Sequence, residues 1–302
     1  MRSRFRARAH FPPGRIPALL RRPRLLIVGC GDIGARIVAR IGARFRVTGL
    51  VASAEGARRT RAAGARAFLA DLDRPLPRGR LPVPAPYVLF LAPTSPGGVR
   101  DERLRRALAA IRPLERRRMV YLSTTGVYGD RGGAWIDETA RPAPSNGRSA
   151  RRLEAERRAR ASAWRAAVLR VPGIYAADRL PLERLRSGLP APIPEEDVYT
   201  NHIHADDLAR ACVLALMRGR AARVVNVVDD TELRMGEYLD LVADRFALAR
   251  APRMARAQLA AAVGAQRLSF LVESRRIRNG RMKRELRMRL MYPDVFAGVP
   301  SR

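Results

Sequence analysis

The sequence predicts an α/β fold with a doubly wound parallel sheet and a smaller C-terminal lobe. Six short apolar runs, typical of strands buried on both faces, alternate with longer stretches of helical periodicity. Strands are expected at about 25–28, 46–51, 67–69, 87–91, 119–122 and 167–171, and a later strand at 224–228 is expected to return to the sheet. Helices are expected at about 35–43, 54–63, 102–111 and 149–163.

The chain is expected to have three parts. Residues 1–23 contain many arginines and no acidic residue, which is typical of a disordered tail or a transit-like segment, and a basic, disordered extension is favoured. Residues 24–175 hold the six alternating strands and form the main domain. From 176 to 302 the periodicity loosens and prolines mark loops, so this part is expected to form a smaller lobe.

The net charge of +31 raises nucleic acid or an anionic membrane as partners, because a positive surface attracts phosphates. The charge is almost entirely arginine, with Lys283 the only lysine, and it is dispersed along the chain. No nucleic-acid module is visible, and no apolar run reaches the roughly 18 residues that a membrane span needs. We therefore expect no specific nucleic-acid or membrane partner, with nonspecific polyanion binding as a side property.

Cysteine and histidine are scarce. Cys30 and Cys212 provide neither a disulfide framework nor a metal-ligand cluster, so a reducing compartment, by default the cytoplasm, is expected. His202 and His204 are separated by one residue and would point the same way on a strand, but no third ligand is evident. No metal site is predicted.

A glycine-rich turn follows the first strand and opens a helix. The first glycine permits the tight turn, the second lets the backbone approach a pyrophosphate, and the third allows close helix packing. The helix N-terminus adds amide donors and a positive dipole end. The pattern predicts a Rossmann-type domain that binds a dinucleotide through Gly29, Cys30, Gly31, Asp32, Ile33 and Gly34. Cys30 is interpreted as a tolerated small residue rather than a nucleophile.

The end of the second strand normally selects between NAD and NADP, through an acid that binds the ribose hydroxyls. Here no acid stands at the strand end, and Ser53 with Arg58 could hold a 2′-phosphate. NADP(H) is therefore favoured, with NAD(H) as the alternative if Arg58 and Arg59 form only a solvated face. Asp71 and Leu72, after the third strand, are expected near the adenine, unless they form an ordinary loop.

Three further motifs follow in order. They are STTGVYG at 123–129, RVPGIY at 170–175 and NHIHADDLA at 201–209. Together with the glycine turn they resemble the extended short-chain dehydrogenase/reductase superfamily, specifically its NAD-dependent epimerase/dehydratase family. The resemblance implies a Rossmann domain with a C-terminal substrate lobe, and hydride transfer to or from a sugar-like or other carbonyl/alcohol substrate. By analogy it also implies a homodimer.

Members of that family use a tyrosine, a lysine four residues later and a Ser/Thr that orients the substrate oxygen. Thr124 matches the Ser/Thr position. In the expected window, either Asn146 and Ala150 or Arg148 and Arg152 take the places of the tyrosine and lysine. None of these is a good proton donor at neutral pH.

The chain thus resembles atypical members that lack the Tyr/Lys pair, with Tyr128 as a substitute proton donor or a packing residue. Two functions stay open at this point. One is an atypical NAD(P)-dependent oxidoreductase or epimerase. The other is a non-catalytic NADP(H)-binding sensor or regulatory protein.

Overall fold

The structure is a computed structural model that describes residues 22–76, 85–111, 117–262 and 271–301. Most of the predicted basic extension, residues 1–21, therefore lies outside the described residues.

A parallel sheet of seven strands forms the centre of the molecule, in the order β12-β7-β5-β4-β1-β2-β3. Its strands are β1 (Arg24–Val28), β2 (Arg46–Val51), β3 (Arg66–Leu69), β4 (Tyr87–Phe90), β5 (Arg118–Thr124), β7 (Ala167–Val171) and β12 (Val224–Asn226). The predicted doubly wound α/β fold is confirmed. The later strand does return to the sheet, where β12 pairs in parallel with β7.

The four predicted helices, each with boundaries within three residues of the prediction, are among the helices that the structure describes. The described helices are α1 (Asp32–Ile41), α2 (Ala54–Ala62), α3 (Glu102–Ala110), α4 (Gly147–Ala161), α5 (Leu182–Arg186), α6 (Ala205–Arg218), α7 (Met235–Arg245), α8 (Arg256–Ala262), α9 (Gly280–Glu285) and α10 (Val295–Gly298). α1 begins three residues before its predicted start, because Gly31 is its N-cap and the end of the glycine turn is already helical. α4 begins at Gly147 because the Asn146 side chain accepts a hydrogen bond from the Ser149 amide.

Both faces of the sheet are covered, which explains the continuous apolar strands. On β1, Leu25 and Ile27 face one layer and Leu26 and Val28 face the other. The first layer contains α1 and α6, and the second contains α3 and α4. Helix α6, which lies beyond residue 176, thus packs on the central sheet.

Short strand pairs lie outside the central sheet. They are β8 (Gly173–Tyr175) with β11 (His202–His204), β9 (Ala191–Pro192) with β14 (Arg253–Met254), β10 (Tyr199–Thr200) with β13 (Leu233–Arg234), and β6 (Trp135–Ile136) with β15 (Arg276–Ile277). A separate apolar core joins α5, α7 and α10 through Leu185, Leu239 and Val295. The lobe boundary at 175/176 stays a prediction. None of the described helices is long and apolar enough to cross a membrane.

Candidate dinucleotide site and active-site groups

The glycine turn lies at the carboxyl end of β1, directly against the end of β4. Gly29 has a φ of +84°, and a Cβ there would lie 2.6 Å from the Cα of Ala92. Its amide donates to the carbonyl of Leu50 at the end of β2, at 2.9 Å. Only glycine satisfies both the backbone angle and the close approach at this position.

Gly31 caps α1 and faces open space. A Cβ added at Gly31 would meet no atom within 4 Å, and no side chain caps the helix. The amides of the first helical turn have no acceptor within the helix, and they carry the positive end of the helix dipole. This cradle therefore fits the pyrophosphate of a dinucleotide.

Cys30 and Gly34 form the packed side of the same turn. Cys30 is 3% exposed, and a Cβ at Gly34 would lie 2.9 Å from its Sγ. A Cβ at Gly49 on β2 would lie 2.7 Å from the Cβ of Cys30. Burial raises the pKa of the Cys30 thiol, so the thiol is a packing group between α1 and β2. Ile33 is also buried, in the same core.

Asp32 places a negative charge at the N-terminus of α1, where a pyrophosphate would meet it. Its carboxylate pairs with Arg36 at 3.0 Å and with Arg179 at 2.9 Å. Arg36 also binds Asp178 and Asp206, at 2.9 and 3.0 Å. The network neutralises Asp32 and joins α1 to the N-terminus of α6 and to the 177–179 turn.

At the end of β2, Ser53 caps α2, where its Oγ accepts a hydrogen bond from the Gly56 amide at 3.1 Å. The Ser53 hydroxyl proton stays available as a donor. Arg58 is 70% exposed and donates to Glu55 through Nε at 3.0 Å and Nη2 at 2.5 Å. An incoming phosphate would compete with Glu55 for this guanidinium.

After β3, the two predicted adenine-contacting residues differ in environment. Asp71 accepts a hydrogen bond from the Asp73 amide at 2.8 Å and shapes the loop. Leu72 is 6% exposed and packs in the same apolar core as Leu50, and Arg106 donates to its carbonyl at 2.8 Å. The buried Leu72 side chain and the hydrogen bond from Arg106 therefore fix the loop that lies beside the end of β2.

Thr124 ends β5 at the carboxyl edge of the sheet. The residue is half-buried, and its Oγ1 accepts a hydrogen bond from the Gly126 amide at 3.1 Å, which leaves the hydroxyl proton to donate. Tyr128, by contrast, lies in the apolar core. It is fully buried, its hydroxyl donates to the Asn226 Oδ1 at 2.8 Å, and the Arg170 guanidinium lies 4.6 Å from its ring centre. Burial raises the pKa of Tyr128, so the structure gives it the environment of a core residue.

Comparisons with known proteins agree with this geometry. The model of the NAD dependent epimerase/dehydratase family matches residues 104–228, which contain all three motifs after the glycine turn. Over that part of its length, this chain is similar to the NAD-dependent epimerase/dehydratase family. No curated protein matches the chain significantly.

Solved structures of similar proteins cover almost the whole chain. A conserved protein of unknown function from Silicibacter pomeroyi is 29% identical, with a TM-score of 0.75 over 91% of this chain and 96% of that one. A candidate NAD-dependent epimerase/dehydratase from Methylobacillus flagellatus is 27% identical, with a TM-score of 0.67 over 91% and 96% of the two chains. A human epimerase family protein solved with NADPH is 20% identical, with a TM-score of 0.69 over 91% and 97%. The chain thus has the NAD(P)-binding fold of the epimerase/dehydratase family.

The two alignments of the family's Tyr/Lys window place different residues at the crevice. Arg152 reaches it, because its Nη1 donates to the Leu122 carbonyl at 2.9 Å, the Tyr121 hydroxyl at 3.1 Å and the Ala92 carbonyl at 3.4 Å. Arg148 and Ala150 are exposed, and Asn146 caps α4. A guanidinium therefore lies at the carboxyl ends of β4 and β5.

Asp101 is a buried acid near this crevice that sequence reasoning missed. It is 0% exposed and caps α3, where its Oδ1 accepts from the amides of Ser95, Arg103 and Leu104. Its Oδ2 has no hydrogen-bond partner among the described residues, and burial raises the pKa of this carboxyl. An aspartate followed by helical periodicity is an N-cap signal that could have found it.

The two histidines lie on β11, away from metal-ligand geometry. His204 is the N-cap of α6, where its Nδ1 accepts from the Asp206 amide at 3.2 Å, and it stacks on Tyr292 at 3.7 Å. Burial lowers the pKa of His202 to about 3, so it is neutral. Within the described ranges, no three His, Cys, Asp or Glu side chains group together to hold a metal ion.

Proposed function

We propose that this protein binds NADP(H) at the glycine turn and acts as an atypical oxidoreductase or epimerase on a sugar-like or other carbonyl/alcohol substrate. The observation that carries the proposal is the open, uncapped N-terminus of α1 beside Gly31, at the carboxyl edge of the parallel sheet. Ligands of doubly wound sheets bind at this edge.

The preference for NADP(H) rests on the end of β2. No acid stands directly at the end of the strand, and Ser53 and Arg58 on the following helix are the groups that would bind a 2′-phosphate in this proposal. Glu55 weakens this site, because it already occupies the Arg58 guanidinium. Similar structures are solved with NAD as well as with NADPH, so the proposed preference rests on these residues alone.

A bound nicotinamide would supply or accept the hydride. The Thr124 hydroxyl would donate a hydrogen bond to the substrate oxygen, since the Gly126 amide occupies one of its two lone pairs and leaves its proton to donate. Arg152 would provide fixed positive charge near the nicotinamide end, because it lies between the ends of β4 and β5. Arginine stays protonated, so it stabilises developing negative charge but does not transfer a proton.

A specific observation also favours the non-catalytic alternative, a NADP(H)-binding sensor or regulatory protein. In the catalytic window, α4 offers arginines, an asparagine cap and an alanine in place of the family's Tyr/Lys pair. Tyr128, four residues after Thr124, donates its hydroxyl proton into the core. In that case the protein would bind the cofactor without turnover.

Titration with NADPH and NADH, followed by nicotinamide fluorescence in enough salt to suppress nonspecific binding, tests the proposal. Wild-type protein should bind NADPH saturably and more tightly than NADH. Gly31→Asp places a carboxylate where the pyrophosphate would lie and should weaken binding by about a hundredfold. Gln258→Asp, which adds the same charge on the exposed surface of α8, is the control. Equal affinity in both variants would contradict the site.

Turnover separates the two candidate functions. NADPH oxidation with a panel of aldehydes, ketones and keto-sugars supports the enzyme. Saturable NADPH binding with no oxidation of any panel member supports the sensor.

A further inference from the structure

A second cleft, of about 400 Å³, lies along the free edge of β12, at the opposite side of the sheet from β2 and β3. It is bounded by α4, the segment after β6, the start of β12 and the first turn of α9. Its size falls within the range of small-molecule sites. The residues of the glycine turn do not line it.

Arginines dominate the lining of this cleft. They are Arg141, Arg157, Arg160, Arg170, Arg223 and Arg281. The acids of the lining are Glu138 and Glu156, and both carboxylates already accept hydrogen bonds from protein groups. Glu138 accepts from the Asn226 amide at 2.8 Å, and Glu156 accepts from Ser123 at 2.5 Å and from Arg170 at 2.7 Å. Arg223 also pairs with Glu285, and Arg281 lies 3.6 Å from Glu138, so the positive excess of the cleft comes from the remaining arginines at its rim.

The floor of the cleft is built and rigid. The Arg170 side chain is 4% exposed and is held in place by Glu156 and by the ring of Tyr128. At the rim, Arg160 donates through Nε to the Ala222 carbonyl at 2.8 Å, which leaves its terminal nitrogens available. Among the described residues, no hydrogen-bond or ion-pair partner is assigned to the guanidinium of Arg157 or Arg141.

A neighbouring hollow of about 640 Å³ between α3 and α4 allows the ion pairing of its arginines to be compared with that in the β12 cleft. It also contains arginines, but Arg158 pairs with Glu154 at 2.7 Å and Arg105 pairs with Glu102 at 2.6 Å. Both of these arginines are paired with acids on their own helices, and Arg157, which lines both hollows, is the arginine of this one for which the described residues offer no ion pair. In the β12 cleft, two rim arginines lack such acids although 28 acidic residues occur along the chain.

We propose that the cleft beside β12 is a binding site for a small, multiply charged phosphate compound, separate from the dinucleotide site. Several guanidinium groups around one cleft suit the oxygens of a di- or triphosphate. The volume of about 400 Å³ suits a small molecule, whereas a nucleic-acid strand would need an extended groove.

The test is calorimetric titration with inorganic triphosphate at moderate salt, using wild-type protein and two charge-matched double variants. Arg157→Gln with Arg160→Gln removes the exposed rim donors from α4. Arg61→Gln with Arg186→Gln removes the same charge from exposed positions on α2 and α5. The proposal predicts one saturable site that the rim variant weakens by about tenfold or more and the control variant leaves within about twofold.

Gly31→Asp is included so that the two proposed sites are distinguished. It should bind triphosphate as the wild type does, and loss of triphosphate binding in this variant would place the anion at the glycine turn and overturn the proposal. Equal weakening in both double variants would reduce the effect to surface charge. Binding of a single-stranded oligonucleotide that depends on Arg157 and Arg160, with no triphosphate binding, would assign the cleft to nucleic acid instead.

Discussion

Glu156→Gln tests the buried ion pair that joins β7 to α4. The side chains of Glu156 and Arg170 are 1% and 4% exposed, and they meet at 2.7 and 3.1 Å. The substitution keeps the shape and an acceptor for Ser123 but leaves the Arg170 charge without its counter-charge. Removing one member of a buried pair costs about 3–5 kcal/mol.

At about 2 °C per kcal/mol for a chain of this size, Tm should fall by about 6–10 °C. Differential scanning calorimetry in parallel with urea unfolding measures the loss. Glu55→Gln, which breaks an exposed pair with Arg58, should cost less than about 1 kcal/mol. The double variant Glu156→Gln with Arg170→Met should recover most of the lost stability, because no unpaired charge stays buried. A Tm within about 2 °C of the wild type for Glu156→Gln alone would refute the assignment of a buried, mutually dependent pair.

Two further predictions concern cofactor choice and pH. Glu55→Gln frees Arg58 and should raise the preference for NADPH over NADH by about two- to fivefold in paired fluorescence titrations, whereas Glu102→Gln on α3 should leave the ratio unchanged. Burial raises the pKa of Asp229 from 3.8 to about 7 and lowers that of His202 from 6.5 to about 3. Stability from neutral Asp229 is lost as pH rises toward 7, and stability from neutral His202 is lost as pH falls below 6.5. Each variant removes one of these dependences. In urea unfolding, the stability of Asp229→Asn relative to the wild type should therefore fall as pH falls from about 6.5 to 4, and that of His202→Asn relative to the wild type should fall as pH rises from about 4 to 7. Two profiles parallel to that of the wild type would contradict this.

The strands of the central sheet could be predicted because their burial on both faces gives continuous apolar runs. Helix boundaries were harder. The residues 32–34 belong both to the glycine turn and to the first turn of α1, and sequence patterns assign them to the turn alone. The last strand ends at Asn226 rather than 228, although the Val227 amide still donates to the Arg170 carbonyl at 2.9 Å.

The candidate site was only partly accessible to sequence reasoning. The glycine turn could be found because a dinucleotide-binding turn requires glycines at fixed spacing. The environment of Tyr128 depends on Asn226, 98 residues later in the chain, and no local pattern contains that contact. Arg152 reaches the crevice and Arg148 does not, because of the face that α4 turns toward β5. Helix α4 is too rich in arginine for periodicity to show this.

A structure of the protein grown with NADPH tests the central claim most directly. The pyrophosphate should accept hydrogen bonds from the first-turn amides of α1 beside Gly31, with the 2′-phosphate near Ser53 and Arg58 and the nicotinamide between Thr124 and Arg152. A dinucleotide bound elsewhere, or an α1 N-terminus that makes no contact with the pyrophosphate, would contradict the account.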